Sequence, residues 1–263
     1  MPRQLRKVSN TKVYHIIFKG NDQQDVFFDE YDYKKMLKEI LKYKEKYNCD
    51  IYSYCLMTNH IHLIIYDKYN NISKMMQGIL VSYSIYFGKK YNKIGHLFQE
   101  RFYSKNVETK EYLLDLCRYI HQNPVKAGIS RIEDYRWSSY LDYTELETNL
   151  KEDAKIINPK MILSLLGKTK QEAINNFINF HKLNEEKIND YVEFEMITKL
   201  TDEELVQRIK KILEIENIRE IKKLNHLLRN EKIKKLKKIE GTTKIQISRV
   251  LGISRKIVER AMK

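Results

Sequence analysis

Between Thr11 and Phe18 the chain is dominated by β-branched and aromatic residues (Val13, Tyr14, Ile16, Ile17, Phe18), a pattern that predicts a first strand. Gly20-Asn21-Asp22 then turns the chain. From Asp29 to Tyr47 the period lengthens. Tyr33, Met36, Leu37, Ile40, Leu41 and Tyr43 recur at helical spacing with lysines on the other face, and Asn48-Cys49-Asp50 ends the helix. Ile51 to Met57 reads as a second strand, Thr58-Asn59 as a tight connection, and His60 to Tyr66 as a third strand. After a loop at 67–71, Ile72 to Tyr91 predicts a long helix whose apolar side carries Met75, Met76, Ile79, Leu80, Tyr83 and Phe87. A strand over Phe102 to Val107 comes next. Glu108 to Gln122 then predicts a third helix, capped by Thr109 and stopped by Pro124, because a proline pushes its predecessor out of the helical region. This order predicts an α+β arrangement, an antiparallel sheet with helices on one face.

Ile132 to Tyr143, with the single tryptophan Trp137, reads as a packing segment that closes this domain. Glu145 to Lys155 is polar and charged, so the expected division is a first domain over 1–145, a helical connecting region over 146–200 and a basic helical region over 201–263. Pro159 to Leu166 and Gln171 to His181 have the pattern of short amphipathic helices. Thr201-Asp202-Glu203-Glu204 is a capping signature that opens another helix through Ile212. Near the end, Ser248, Gly252 and Val258 are spaced as two crossed helices joined by a turn require, which predicts an all-α helix-turn-helix region. Lys232, Lys234, Lys235, Lys237 and Lys238 lie just upstream and suit a phosphate-facing patch, although lysine runs also serve as solvated faces.

Charge narrows the class of partner. The 263 residues hold 49 Lys and Arg against 35 Asp and Glu, a net charge of +14, together with 19 tyrosines. Such a surface attracts polyanions, and rings interleaved with cations suit bases and phosphates, so nucleic acid leads. Cys49, Cys55 and Cys117 form no CxxC pair and read as reduced thiols of a cytoplasmic protein. The basic start Met1-Pro2-Arg3-Gln4-Leu5-Arg6-Lys7 is followed by no signal-peptide core, and no stretch has the roughly 20 apolar residues of a membrane span.

The candidate chemistry starts at His60-Ile61-His62. Along a strand, side chains two apart share a face, so the two imidazoles point together while Ile61 and Leu63 point away. Adjacent imidazoles are ready metal ligands, although two unrelated histidines on a half-buried strand would look the same. On the third helix Tyr119 shares a face with Gln122 and Asn123, three and four residues on, whereas His121 points elsewhere.

Three segments occur in order: Cys55-Leu56-Met57-Thr58-Asn59-His60-Ile61-His62-Leu63-Ile64, Gly95-His96-Leu97-Phe98-Gln99-Glu100-Arg101-Phe102, and Tyr119-Ile120-His121-Gln122-Asn123-Pro124-Val125-Lys126-Ala127-Gly128. Together they resemble the single-tyrosine HUH transposases of insertion sequences, in particular the REP-associated tyrosine transposases, over roughly residues 8 to 145. The resemblance implies an α+β, ferredoxin-like HUH fold and a nuclease-ligase that cleaves and rejoins single-stranded DNA near hairpins. It also implies a divalent metal, Mg2+ or Mn2+, held by His60, His62 and Asn123, with Tyr119 as nucleophile and a 5′-phosphotyrosine intermediate. Some members carry glutamine at the third position, and Gln122 beside Asn123 leaves that choice open. Glu100 stands where a small residue is expected.

DNA contacts are expected from His96, Gln99, Arg101 and Lys126 in the first domain and from Arg249, Arg255 and Lys256 near the end. Hairpin-bearing single strands are the expected partner, with duplex bound through the last region, and a homodimer is compatible with the sequence. His15 reads as structural or as a DNA contact. A non-catalytic DNA-binding regulator that has kept the fold is the alternative; a zinc hydrolase would need a third ligand at spacing not evident here.

Overall fold

The computed structural model describes residues 8–99, 101–144, 156–182, 201–218, 220–239 and 242–262. The basic start at 1–7, Glu100, the polar stretch at 145–155 and residues 183–200 of the expected connecting region lie outside the described residues. The chain divides into two compact units, Met1–Val192 and Glu193–Lys263.

The first unit begins β1 (Val13–Lys19), α1 (Glu30–Tyr47), β2 (Asp50–Leu56), β3 (His60–Tyr66), α2 (Ile72–Tyr91), β4 (Tyr103–Asn106). The strands form one antiparallel sheet in the order β2-β3-β1-β4, which is the ferredoxin-like arrangement. The two long helices form as their periodicity predicts, and acidic side chains hold their starts. Asp29 and Asp32 make a reciprocal capping box at the head of α1, and Asp67 accepts from the backbone N–H groups of Asn71 and Ile72 at the head of α2. Asp32, fully buried, also binds Lys90 at 2.8 Å and Tyr91 at 2.7 Å, which ties α1 to α2.

Strand parity decides what each face carries. Pairing sets Ile17 opposite His62, Lys19 opposite His60 and Cys55 opposite His62, so these side chains share one face with His15. The other face, which includes Phe18, Ile61 and Leu63, is apolar. Phe18 meets Phe98, and Phe98 meets Tyr83 of α2.

The histidine face is covered by α3 (Lys110–Lys126), which packs on β2 and β3. Helices therefore lie on both faces of the sheet, not on one as expected from the element order. The reason is that α3 comes after the completed sheet and finds the polar face still open.

Two further departures concern α3 and the segments beyond it. Thr109 caps the helix as predicted, its side chain accepting from the Tyr112 N–H. Pro124, predicted to stop the helix, lies inside it, and the helix runs on to Lys126. A proline lacks the N–H that would bond the carbonyl of Ile120, four residues back. The neighbouring Asn123 amide repairs this, with Nδ2 donating to the carbonyls of Tyr119 (2.9 Å) and Ile120 (3.3 Å). Beyond residue 145 the chain remains part of the first unit. The Asn158 N–H bonds the Ile51 carbonyl at the edge of the sheet, and α6 (Lys170–Lys182), which comes after α4 (Tyr140–Thr144) and α5 (Lys160–Ser164), packs against α3 and α4. Trp137 stacks on Tyr33 at 4.5 Å between ring centroids.

The second unit is helical: α7 (Asp202–Leu213), α8 (Glu220–Lys223), α9 (His226–Lys235), α10 (Lys244–Leu251) and α11 (Arg255–Ala261). Thr201 and Glu204 form the capping box read from the sequence. Ile209, Ile233, Ile247, Leu251 and Val258 belong to a separate core. Gly252 ends α10 at φ +63°, a left-handed conformation that glycine adopts without strain, and a short turn leads into α11. Among the described residues no helix is long and apolar enough to cross a membrane.

Candidate active site

His60 opens β3 and His62 lies two residues on along the same face, with ring centroids 5.0 Å apart and planes nearly perpendicular. Each has one ring nitrogen already engaged. His60 Nδ1 is 2.7 Å from Asn59 Oδ1, and His62 Nδ1 is 3.1 Å from His15 Nε2. Each Nε2 is thereby the atom left for a ligand.

The helix α3 brings Tyr119 over this pair. Its ring lies 5.9 Å from that of His62, edge to face, and Lys126 Nζ sits 4.8 Å from the centre of the Tyr119 ring. The side chain of Asn123, one turn on, faces His60 closely enough to favour that ring's protonated form. Its amide nitrogen donates to the Tyr119 and Ile120 carbonyls, which leaves Oδ1 as its atom for a ligand. Gln122 goes the other way, donating from Nε2 to the His181 carbonyl at 2.9 Å. Strand and helix thus meet within one chain, and of the two amides it is Asn123 that reaches the histidines.

The donor set suits a divalent cation. Two neutral imidazoles and an amide oxygen bring no charge of their own and leave other positions open to phosphate oxygens. The imidazoles are held in the neutral, lone-pair-bearing form. Burial, then the charge of Lys19, pulls His60 down to about 4 against the opposing bond from Asn123; burial first, then His60 and His15, holds His62 well below its ordinary value.

The loop expected to touch DNA lies at the same end of the sheet. The Gln99 N–H donates to the carbonyl of Lys19, whose cross-strand partner is His60, and the Asn21 N–H bonds the Leu97 carbonyl. His96 and Arg101 are exposed, and Gln99 is half-buried. In the second unit Arg249 Nη2 pairs with Asp202 at 2.6 Å and Arg255 Nε with Glu259 at 2.7 Å; these arginines and Lys256 are on the surface. His15 is fully buried, so it is no DNA contact. Burial, helped by Lys105, pulls it down to about 3.

A second histidine cluster, which spacing did not reveal, lies on the other side of α3. Cys117, His121 and His181 are all buried, with ligand atoms close enough to suggest a metal. Their hydrogen bonds point to a different reading. His181 Nδ1 is 2.8 Å from the Phe177 carbonyl, which fixes the proton on that nitrogen and leaves Nε2 to accept from His121 Nδ1 at 3.0 Å. His121 Nε2 then accepts from Ser139 Oγ (2.7 Å) and Ser53 Oγ (3.0 Å). Both rings are satisfied without a cation, and Arg118, fully buried against Phe180 beside them, opposes one. All three cysteines are free and buried; Cys117 is pushed up to about 12 by burial.

Comparison with known proteins shows what the chain is similar to. A solved structure described as the REP-associated tyrosine transposase bound to a REP hairpin is 16% identical, spans 60% of this chain and 94% of its own, and superposes with a TM-score of 0.46. No curated protein matches the chain. Residues 8–123, which hold the whole sheet, both histidines, Tyr119 and Asn123, match the family of IS200-like transposases. The likeness to IS200-like transposases is thus carried by this one domain, residues 8–123 of the 263.

Proposed function

We propose that the first unit cleaves and rejoins single-stranded DNA beside a hairpin, with Tyr119 as nucleophile, in the manner of the REP-associated branch that its three motifs resemble. The observation that carries the reading is the meeting of Tyr119 with His62, and of Asn123 with His60, in one chain. His60, His62 and Asn123 would hold Mg2+ or Mn2+, which when bound offsets the negative charge of the scissile phosphate.

Tyr119 Oη attacks phosphorus. The Oη–P bond forms as the bond from phosphorus to the 3′-oxygen breaks; the phenol gives up its proton and the leaving 3′-oxygen takes one up. The products are a 5′-phosphotyrosine and a free 3′-hydroxyl, so the bond energy is kept and rejoining is the same exchange in reverse. Lys126, against the tyrosine ring, places a positive charge where phenolate character develops and where the DNA backbone must pass. His96, Gln99 and Arg101, on the loop beside the His60 end of the sheet, would hold the strand on either side of the scissile bond.

In the second unit, α10 and α11 with their turn would bind duplex DNA as a helix-turn-helix, with Lys256, Arg249 and Arg255 on the exposed side. The two arginines would exchange carboxylate partners for phosphates.

The test is a labelled oligonucleotide carrying a hairpin from the DNA that flanks the gene. Wild-type protein should form an adduct that survives denaturant and requires a divalent cation. Tyr119→Phe should form none, a loss of at least about a thousandfold, while still binding the hairpin. An undiminished adduct with Tyr119→Phe would show that another residue is the nucleophile. No adduct from either protein, with DNA binding indifferent to metal, would favour a non-catalytic regulator.

A further inference from the structure

His15 is a polar residue in a place built for an apolar one. It sits on β1, a central strand, fully buried and diagonal to His62 on the same face. Its ring stacks on that of His62, centroids 5.3 Å apart and planes 17° from parallel, and its Nε2 is 3.1 Å from His62 Nδ1. Its other nitrogen, Nδ1, is buried and has no hydrogen-bond partner among the described residues. A valine or isoleucine here would satisfy the sheet at no such cost, since an unpaired buried polar atom costs about 1–3 kcal/mol. The one polar contact His15 makes is therefore the contact to be explained.

A single proton lies between the two rings, and its position decides what His62 can do. If His15 Nε2–H donates, His62 Nδ1 is the acceptor, its proton moves to Nε2, and the atom facing the site is a donor that cannot ligate. If His62 Nδ1–H donates, its Nε2 carries the lone pair and His15 holds its own proton on the unpartnered Nδ1. Only the second arrangement gives His62 an Nε2 lone pair like the one His60 keeps when its Nδ1–H bonds Asn59.

We propose that His15 is a positioning residue: its neutral imidazole accepts the Nδ1–H of His62 and so fixes the His62 tautomer and ring plane that a metal requires. A metal-ligating histidine nearly always donates its other N–H to a carboxylate, a carbonyl or water. Here a third imidazole from the adjacent strand fills that place, at the cost of its own unpaired nitrogen. The proposal rests on the reading of His60 and His62 as a metal pair, and the experiment separates the two.

Nitrogen-15 NMR of the histidines in the metal-free protein reads the tautomer directly. The proposal expects His62 protonated at Nδ1 in the wild type and shifted toward the Nε2–H form in His15→Phe; an Nε2–H tautomer in the wild type overturns it. Mn2+ binding, followed by electron paramagnetic resonance, should weaken about 10- to 100-fold in His15→Phe. His15→Gln, whose amide oxygen can reach the place of Nε2, should recover most of that loss, with Trp137 fluorescence confirming that both variants are folded. Equal Mn2+ affinity in wild type and His15→Phe overturns the proposal. If Mn2+ binds equally well after His62→Ala, it is the metal-pair reading that fails, and the tautomer measurement still decides the role of His15.

Discussion

Two histidine clusters flank one helix, and they differ in how completely they are closed. His121 and His181, with Ser53 and Ser139, form a relay in which each ring nitrogen has a partner, sealed between α3, α6 and β2. On the sheet side of the same helix, His15, His60 and His62 form an unfinished set: His15 Nδ1 has no partner among the described residues, and His60 and His62 face Asn123 and Tyr119. Residue type does not separate the two clusters. Accounting for every donor and acceptor does, because a structural cluster repays the desolvation of its polar atoms internally, while a binding site keeps some of them in reserve.

The contrast is most exposed to failure at His121. Replacing it with leucine leaves Ser53, Ser139 and His181 without their partner and should destabilise the first unit by about 3 kcal/mol. Denaturant unfolding read by Trp137 would measure this, and Mn2+ affinity should stay within about twofold of wild type. A large loss of metal affinity without loss of stability would assign the metal to the wrong cluster.

Acid should sharpen the same contrast. Burial holds His121 well below its ordinary value and His181 at about 4, so the folded protein refuses protons that the unfolded chain accepts below pH 6.5. The stability contributed by neutral burial is complete above that pH and is lost as the pH falls from 6.5 toward 4, by about 1.4 kcal/mol per histidine per pH unit. The gap between wild type and His121→Leu should therefore narrow between pH 7 and pH 5 in the same unfolding experiment. A gap that widens would mean that His121 is charged in the fold.

The smallest expected effect distinguishes neighbouring amides. Asn123→Ala should weaken Mn2+ binding about tenfold and cost about 1 kcal/mol of stability, because the Ile120 carbonyl then faces a proline that cannot pair with it. Gln122→Ala, whose side chain reaches the His181 carbonyl, should leave calorimetric Mn2+ affinity unchanged. The reverse pattern would make Gln122 the ligand.

Much of the site was readable from periodicity. A two-residue period puts His60 beside His62, a four-residue turn puts Asn123 under Tyr119, and both hold in the fold because each depends only on the geometry of a single element. The antiparallel sheet was readable from the succession of elements. What periodicity lacked was any means to separate Asn123 from Gln122, since both lie within a turn of Tyr119 and only the position of α6 draws Gln122 away. Pro124 misled for a related reason: the penalty it imposes is local, but the Asn123 amide that offsets it is a side-chain contact that helix rules do not count.

By itself, then, the order of residues determined the ferredoxin-like plan, the paired histidines on one strand and the tyrosine on a later helix, because local backbone periods and family motifs are written along the chain. The tertiary structure alone decided which face α3 covers, that His15 rather than a carboxylate backs His62, and that His121 and His181 close on themselves. Those outcomes join residues some fifty to seventy positions apart, and they are settled by which buried polar atoms find partners once the chain has packed.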